Sequence, residues 1–263
     1  MGFVRTQKEI REIEAALAAP EFVHGEQLLV RFRTSEETYR RLLPPPLEPL
    51  DDPLCVAAIG RWQGSCVGDY AGGSVSLSAA HQGDAGGFAV AMWMNTEASV
   101  MFGRDVFGEP KKLAESGLAR DGERAHAWID RHGVRLVELM CTVDIEEDPA
   151  SIDRLAFNYR SRTAANGIGL EGPAVLTRTV FSTTIHERRR GPGSVRFSST
   201  VHDPLGEIPV LEVLDAEYQR HDIRAACTVA DEVAAEDFLP YHHGRADDWR
   251  ALDSRRPLGE GAR

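Results

Sequence analysis

Short runs in which apolar and polar residues alternate, broken by turns rich in Gly and Asp, constrain this chain more than any other feature. In residues 26–33, Leu28, Val30 and Phe32 fall on one face and Leu29, Arg31 and Arg33 on the other, the period-two pattern of a strand. Residues 54–62, 74–80 and 87–94 read the same way. Residues 124–130 and 134–144, joined through Arg131-His132-Gly133, predict a hairpin. Residues 155–159, 174–186, 194–201 and 212–226 add strands, the last polar enough for an edge or outer position.

Helical spacing is confined to short stretches. Ile10, Ile13 and Leu17 line one face of residues 7–18, ahead of Pro20. Thr34 or Ser35 can cap a helix that Pro44-Pro45-Pro46 ends. Asn95 or Thr96 can cap another over residues 97–106, and residues 230–239 read as a last one. The predicted class is α+β, predominantly antiparallel β, as a barrel or two stacked sheets. One domain is expected over residues 1–247, with a polar tail over 248–263.

Charge and motif content exclude several function classes. A net charge of −11 opposes a nucleic-acid or anionic-membrane partner, which needs a clustered positive field. The basic run Arg188-Arg189-Arg190 reads as a charged hairpin tip. Cys55, Cys66, Cys141 and Cys227 lack zinc-type or CxxC spacing, and no apolar run approaches a membrane span. Reduced thiols in the cytoplasm are expected. His242-His243 is poor ligand geometry and no HExxH occurs, so no metal is expected. Without GxGxxG or GxxxxGK[ST], no nucleotide cofactor is expected either, nor any other.

Chemistry is concentrated in residues 103–115, where Glu109-Pro110-Lys111-Lys112 joins the predicted third helix to a strand. A lysine attacks a carbonyl only as the neutral amine, so such a residue needs a desolvated site or a neighbouring cation. If Lys111 and Lys112 are extended, their side chains leave on opposite faces. Burial, rather than contact between the two ammonium groups, would then favour the neutral amine.

This stretch resembles the acetoacetate decarboxylase superfamily, in which a Gly-Arg-Glu segment leads into Pro-Lys-Lys. The likeness extends to Phe32-Arg33-Thr34-Ser35 with Leu43-Pro44-Pro45-Pro46-Leu47-Glu48, to Ile185-His186-Glu187, and to His202-Asp203-Pro204-Leu205 before Ile208-Pro209-Val210. It implies a β cone or barrel with peripheral helices, Lys111 as the Schiff-base lysine, Lys112 as its cationic neighbour, and assembly into a homo-oligomer. The implied activity is that of a lyase without cofactor acting on a small or medium keto acid. Aldolase–dehydratase chemistry on a pyruvate-type donor is favoured. Decarboxylation of a β-keto acid, and a non-catalytic binding or scaffold role, are the alternatives.

Three departures motivate that preference. Alignment through the matched motifs puts Gly25 where decarboxylating members carry a pocket arginine, and Ala58 and Gly72 where they carry glutamates. Tyr70 and Tyr241 are the candidate proton donors, and Arg31, Arg104 and Glu109 the candidate substrate-binding residues.

Overall fold

The computed structural model describes residues 2–253. Helix α1 (Gln7–Ala18) opens with a capping box, in which Thr6 accepts from the Glu9 amide and Glu9 reaches back to the Thr6 amide. It lies outside the body, with none of its residues buried. Strand β1 (Glu21–Arg33) and helix α2 (Glu36–Leu42), capped by Ser35, follow. Strands β2 (Cys55–Gly64), β3 (Gly68–His81) and β4 (Asp84–Met94) lead to helix α3 (Glu97–Phe102), capped by Thr96. The short β5 (Lys111–Leu113) precedes β6 (Glu115–Asp121), β7 (Arg124–Arg131), β8 (Val134–Thr142) and β9 (Ile145–Glu147). Then come β10 (Ala150–Arg160), β11 (Ala174–Gly191), β12 (Gly193–Phe197), β13 (Glu212–Val233) and α4 (Ala235–Gly244).

Seven strands close into a barrel in the order β10-β11-β13-β1-β2-β3-β4, with β10 returning to β4. All its pairings are antiparallel except the closing one, Ala156 and Phe157 against Gly87 and Phe88. Further along the same edge of β4, β5 takes over in parallel, with Lys111 opposite Met92. The barrel expected from the resemblance is therefore present, with peripheral helices.

A second sheet, β12-β8-β7-β6, covers one side of the barrel. Leu28, Val30 and Phe32 of β1 join Ile59, Val75 and Leu77 and meet Ala127, Ile129, Leu136 and Leu139 of this sheet in one core. Each of these larger side chains contributes roughly 1.5–3 kcal/mol when fully buried. The outward row of β1 therefore makes the core, and its inward row faces the barrel lumen.

Four expectations need correction. Strand β13 is not an edge: it lies between β11 and β1, and its polar residues Glu217, Gln219 and His221 are buried. A strand polar on one face fits the inside of a barrel as readily as an edge. Arg188, Arg189 and Arg190 are not a hairpin tip but part of β11, paired with β9 and β13. The helix expected over 97–106 changes to a π-turn over Gly103–Phe107, and residues 230–233 belong to β13. Of the expected tail, residues 254–263 lie outside the described residues.

Candidate active site

The π-turn and the residues after it build the lysine's setting. Gly108 ends the turn at φ 76°, a left-handed conformation that glycine adopts freely, and its N–H donates to the Gly103 carbonyl. The same carbonyl accepts from the Glu109 amide at 2.9 Å. Pro110 then spans a tight turn in which the Lys111 amide donates to the Glu109 carbonyl at 2.9 Å. This turn brings the Glu109 and Lys111 side chains together, with Nζ 2.8 Å from Oε2. The contact is an ion pair by distance but approaches off the hydrogen-bonding axis, and Oε2 has no aligned donor among the described residues.

Lys111 and Glu109 are each 6% exposed and line a cavity of about 230 Å³ inside the barrel. Gly103 makes room for the lysine. A Cβ there would stand 2.6 Å from Glu109 Oε2 and 2.7 Å from Lys111 Cε, and closer still to Cδ. Phe22, Trp62, Phe107, Phe181 and Ile223 supply apolar wall, and Gln27 and Asn158 supply polar groups. Larger surface recesses, of about 570 and 920 Å³, hold no lysine.

Tyr70 also lines the cavity and stacks on Trp62 with ring centroids 5.4 Å apart. Burial, then the charges of Glu109 and Cys66, push its phenol well above the ordinary value, so it stays a proton donor. Trp62 Nε1 donates to His221 Nε2 at 2.9 Å. Burial, reinforced by the charge of Arg154, pulls that imidazole down to about 4.

The Gly25 position is closed to a larger residue, because a Cβ would meet Trp62 Cδ1 at 2.7 Å and His221 Nε2 at 2.8 Å. This aromatic pair fills the space beside Gly25. Ala58, Gly73, Ser74 and Ser76 line the wall formed by β2 and β3, so no carboxylate enters from it. Gly72 lies off the cavity, against the Trp93 backbone and Met94.

Of the residues proposed from sequence, Lys111, Glu109 and Tyr70 come together in the cavity, and the other four do not line it. Lys112 leaves on the opposite face, as strand alternation requires. There it donates to the His202 carbonyl and to Asp203 at 3.1 Å, and it lines a separate outer pocket of about 490 Å³. It is therefore a structural cation in the Asp203–Arg131–Asp247 cluster. Tyr241 lines the same outer pocket and donates to the Leu43 carbonyl at 3.3 Å, so it is not a donor to the cavity.

Arg104 holds the Lys111 and Arg245 carbonyls at 3.1 and 3.2 Å, a positioning role. Arg31 is spent on Asp215 at 2.8 Å and Glu217 at 2.7 Å.

Two residues that shape the site are not marked in the sequence. Arg245 donates to the Gly108 and Tyr159 carbonyls and so anchors the loop before the lysine, and nothing local marks it. Arg154 lines the cavity from β10, and period-two counting back from Asn158 through Ala156 reaches it.

Among the described residues no group of His, Cys, Asp and Glu is arranged to hold a metal ion. No helix there is long and apolar enough to cross a membrane.

A closed mixed barrel with one buried lysine–carboxylate pair in its lumen has the form of a small-molecule enzyme site. A family model described as acetoacetate decarboxylase (ADC) matches residues 9–235, and the chain belongs to that family.

An acetoacetate decarboxylase of Burkholderia mallei is 27% identical over 210 residues, covering 77% of this chain and 84% of that protein. The solved acetoacetate decarboxylase of Legionella pneumophila superposes with a TM-score of 0.72 at 18% identity, covering 81% of this chain and 87% of the other. The enduracididine biosynthesis enzyme MppR, solved with pyruvate, gives 0.71 at 20% identity over 80% and 89%. At these identities the two superpositions establish the shared fold.

Proposed function

We propose that the protein is a lyase that forms a Schiff base between Lys111 and a keto acid. The observation that carries this reading is the Lys111 amine, buried in the barrel lumen 2.8 Å from the Glu109 carboxylate. In this mechanism Glu109 takes a proton from the ammonium, and the free amine adds to the substrate carbonyl. Tyr70 protonates the oxygen, water leaves, and the imine remains. Loss of an α-substituent from the imine, either a proton or carbon dioxide, gives the enamine.

The cavity wall formed by β2 and β3, which presents Ala58, Gly73 and Ser74 and no carboxylate, favours the route in which the enamine adds to an aldehyde and the product loses water. A pyruvate-type donor fits this route, and the complex of MppR with pyruvate supports it by analogy. Decarboxylation is the second reading, favoured by the decarboxylases among the relatives. A cytoplasmic homo-oligomer is the form in which we expect the enzyme to work.

Borohydride trapping with pyruvate and with acetoacetate, followed by peptide mapping of wild type and Lys111→Ala, tests the proposal. We expect an adduct on Lys111 that the substitution abolishes, and carbon dioxide release separates the two chemistries. Failure to find any adduct at Lys111 with either acid would count against an imine mechanism.

A further inference from the structure

Position 25 is a glycine and brings no cation to the lumen, yet the cavity does contain a guanidinium. Along β10 the inward row is Arg154, Ala156 and Asn158, and all three line the lumen. No hydrogen bond or ion pair joins the Arg154 side chain to another described residue, although Glu217 exerts an attractive field on it.

Glu217 is already engaged. Its Oε1 accepts from Arg188 Nε at 2.7 Å and from Gln219, and its Oε2 accepts from Arg31 Nη2 at 2.7 Å. Burial lowers the affinity of Arg154 for its proton, and the positive charges of Arg31 and Arg188 add to that effect. Glu109, the other carboxylate in the lumen, is paired with Lys111. Within the lumen itself the Arg154 guanidinium therefore has no ion-pair partner, and a bound anion would supply one. Asn158 on the same row is 2% exposed, and its Oδ1 has no partner among the described residues.

The strand registers place the two cations apart. The Tyr159 amide donates to the Gly108 carbonyl, three residues before Lys111, so the lysine leaves the wall near the Tyr159 end of β10. Arg154 lies five residues before Tyr159, roughly 17 Å of strand at about 3.3 Å per residue. The two long side chains cover part of that span and leave the remainder to the ligand.

We propose that Arg154 is the specificity-determining residue that holds a substrate carboxylate several bonds away from the carbonyl Lys111 attacks. This rests on the Lys111 reading above and narrows its keto acid to one with a remote carboxylate, such as 2-oxoglutarate or 4-oxopentanoate, so that pyruvate, which lacks one, gains nothing from Arg154.

The test compares borohydride trapping by wild type, Arg154→Gln and Arg154→Lys with 4-oxopentanoate, its methyl ester, and pyruvate. A lost charge-assisted hydrogen bond corresponds to about a 10- to 100-fold loss in trapping efficiency for the remote acid. The loss should appear in half-saturating concentration rather than limiting rate, be partly restored by lysine, and be small for ester and pyruvate. Equal loss for acid and ester, no loss for the acid, or pyruvate suffering as much as the longer acid would overturn the proposal.

The alcohol 4-hydroxypentanoate, which cannot form an imine, reads the arginine alone. It should raise the melting temperature of wild type and Lys111→Ala but not of Arg154→Gln. If no carbonyl traps on Lys111 while this pattern appears, the imine reading fails and the carboxylate site stands. An equal or absent shift in all three proteins would remove the site itself.

Discussion

Gly103→Ala probes how the lysine is held without touching its chemistry. The added methyl would lie 2.6 Å from Glu109 Oε2 and 2.7 Å from Lys111 Cε. Carbon atoms in contact sit about 3.5–4.0 Å apart, so the lysine must retreat by roughly 1 Å. Misplacement of a reacting group by about 1 Å typically costs on the order of 100-fold in rate. Stability should change far less. Overpacking costs about 1–3 kcal/mol, and replacing glycine in a helical turn returns roughly 0.5–1 kcal/mol. Single-turnover trapping on Lys111 should thus slow by about two orders of magnitude while the melting temperature falls by only a few degrees. If the alanine protein traps keto acids at the wild-type rate, the idea that glycine makes room for a positioned lysine is wrong.

Further outcomes follow from the same geometry. Lys112→Met leaves Asp203, 3% exposed, short of one donor in its cluster and should lower unfolding free energy by about 3 kcal/mol, seen in a urea titration. Because Lys112 faces the outer pocket, the Lys111 adduct should still form, and its disappearance in a folded variant would contradict that placement. Gly108→Ala should destabilise by more than about 1 kcal/mol, since its φ of 76° strains any side chain and a Cβ would meet the Tyr159 backbone at 2.6 Å.

Stability should also fall on mild acidification. His221 titrates near 4 when folded and near 6.5 when unfolded, so below 6.5 the unfolded chain binds the proton first. At 1.36 kcal/mol per pH unit the decline between pH 6.5 and 4 comes to roughly 3 kcal/mol. His242, likewise pulled down to about 4 by burial, adds to the decline in the same window. Denaturant unfolding of wild type and His221→Gln across this range should show a shallower slope for the variant. Identical slopes would refute the burial argument for His221.

Much of the site's chemistry was legible because it is written locally. Pro110-Lys111-Lys112 lies in one short stretch, and alternation alone sends neighbouring strand residues to opposite faces, so the separation of Lys111 from Lys112 follows from the backbone. The Pro and Gly punctuation located most strands in the same way. Helix caps at Ser35 and Thr96 were visible for the same reason, since a cap bonds within three residues of itself.

What sequence alone determined, then, was strand content, the lysine pair and the family. Only the tertiary structure decided which of two equivalent strand faces looks into the lumen. Polar β13 became an interior wall because the sheet closes on itself, and closure depends on β10 meeting β4 across about seventy residues of chain. The same closure gave Arg31 to Glu217 and left Arg154 unpaired, while Tyr241 was carried to the outer pocket. Such assignments depend on distances between residues far apart in the chain, which local periodicity does not encode.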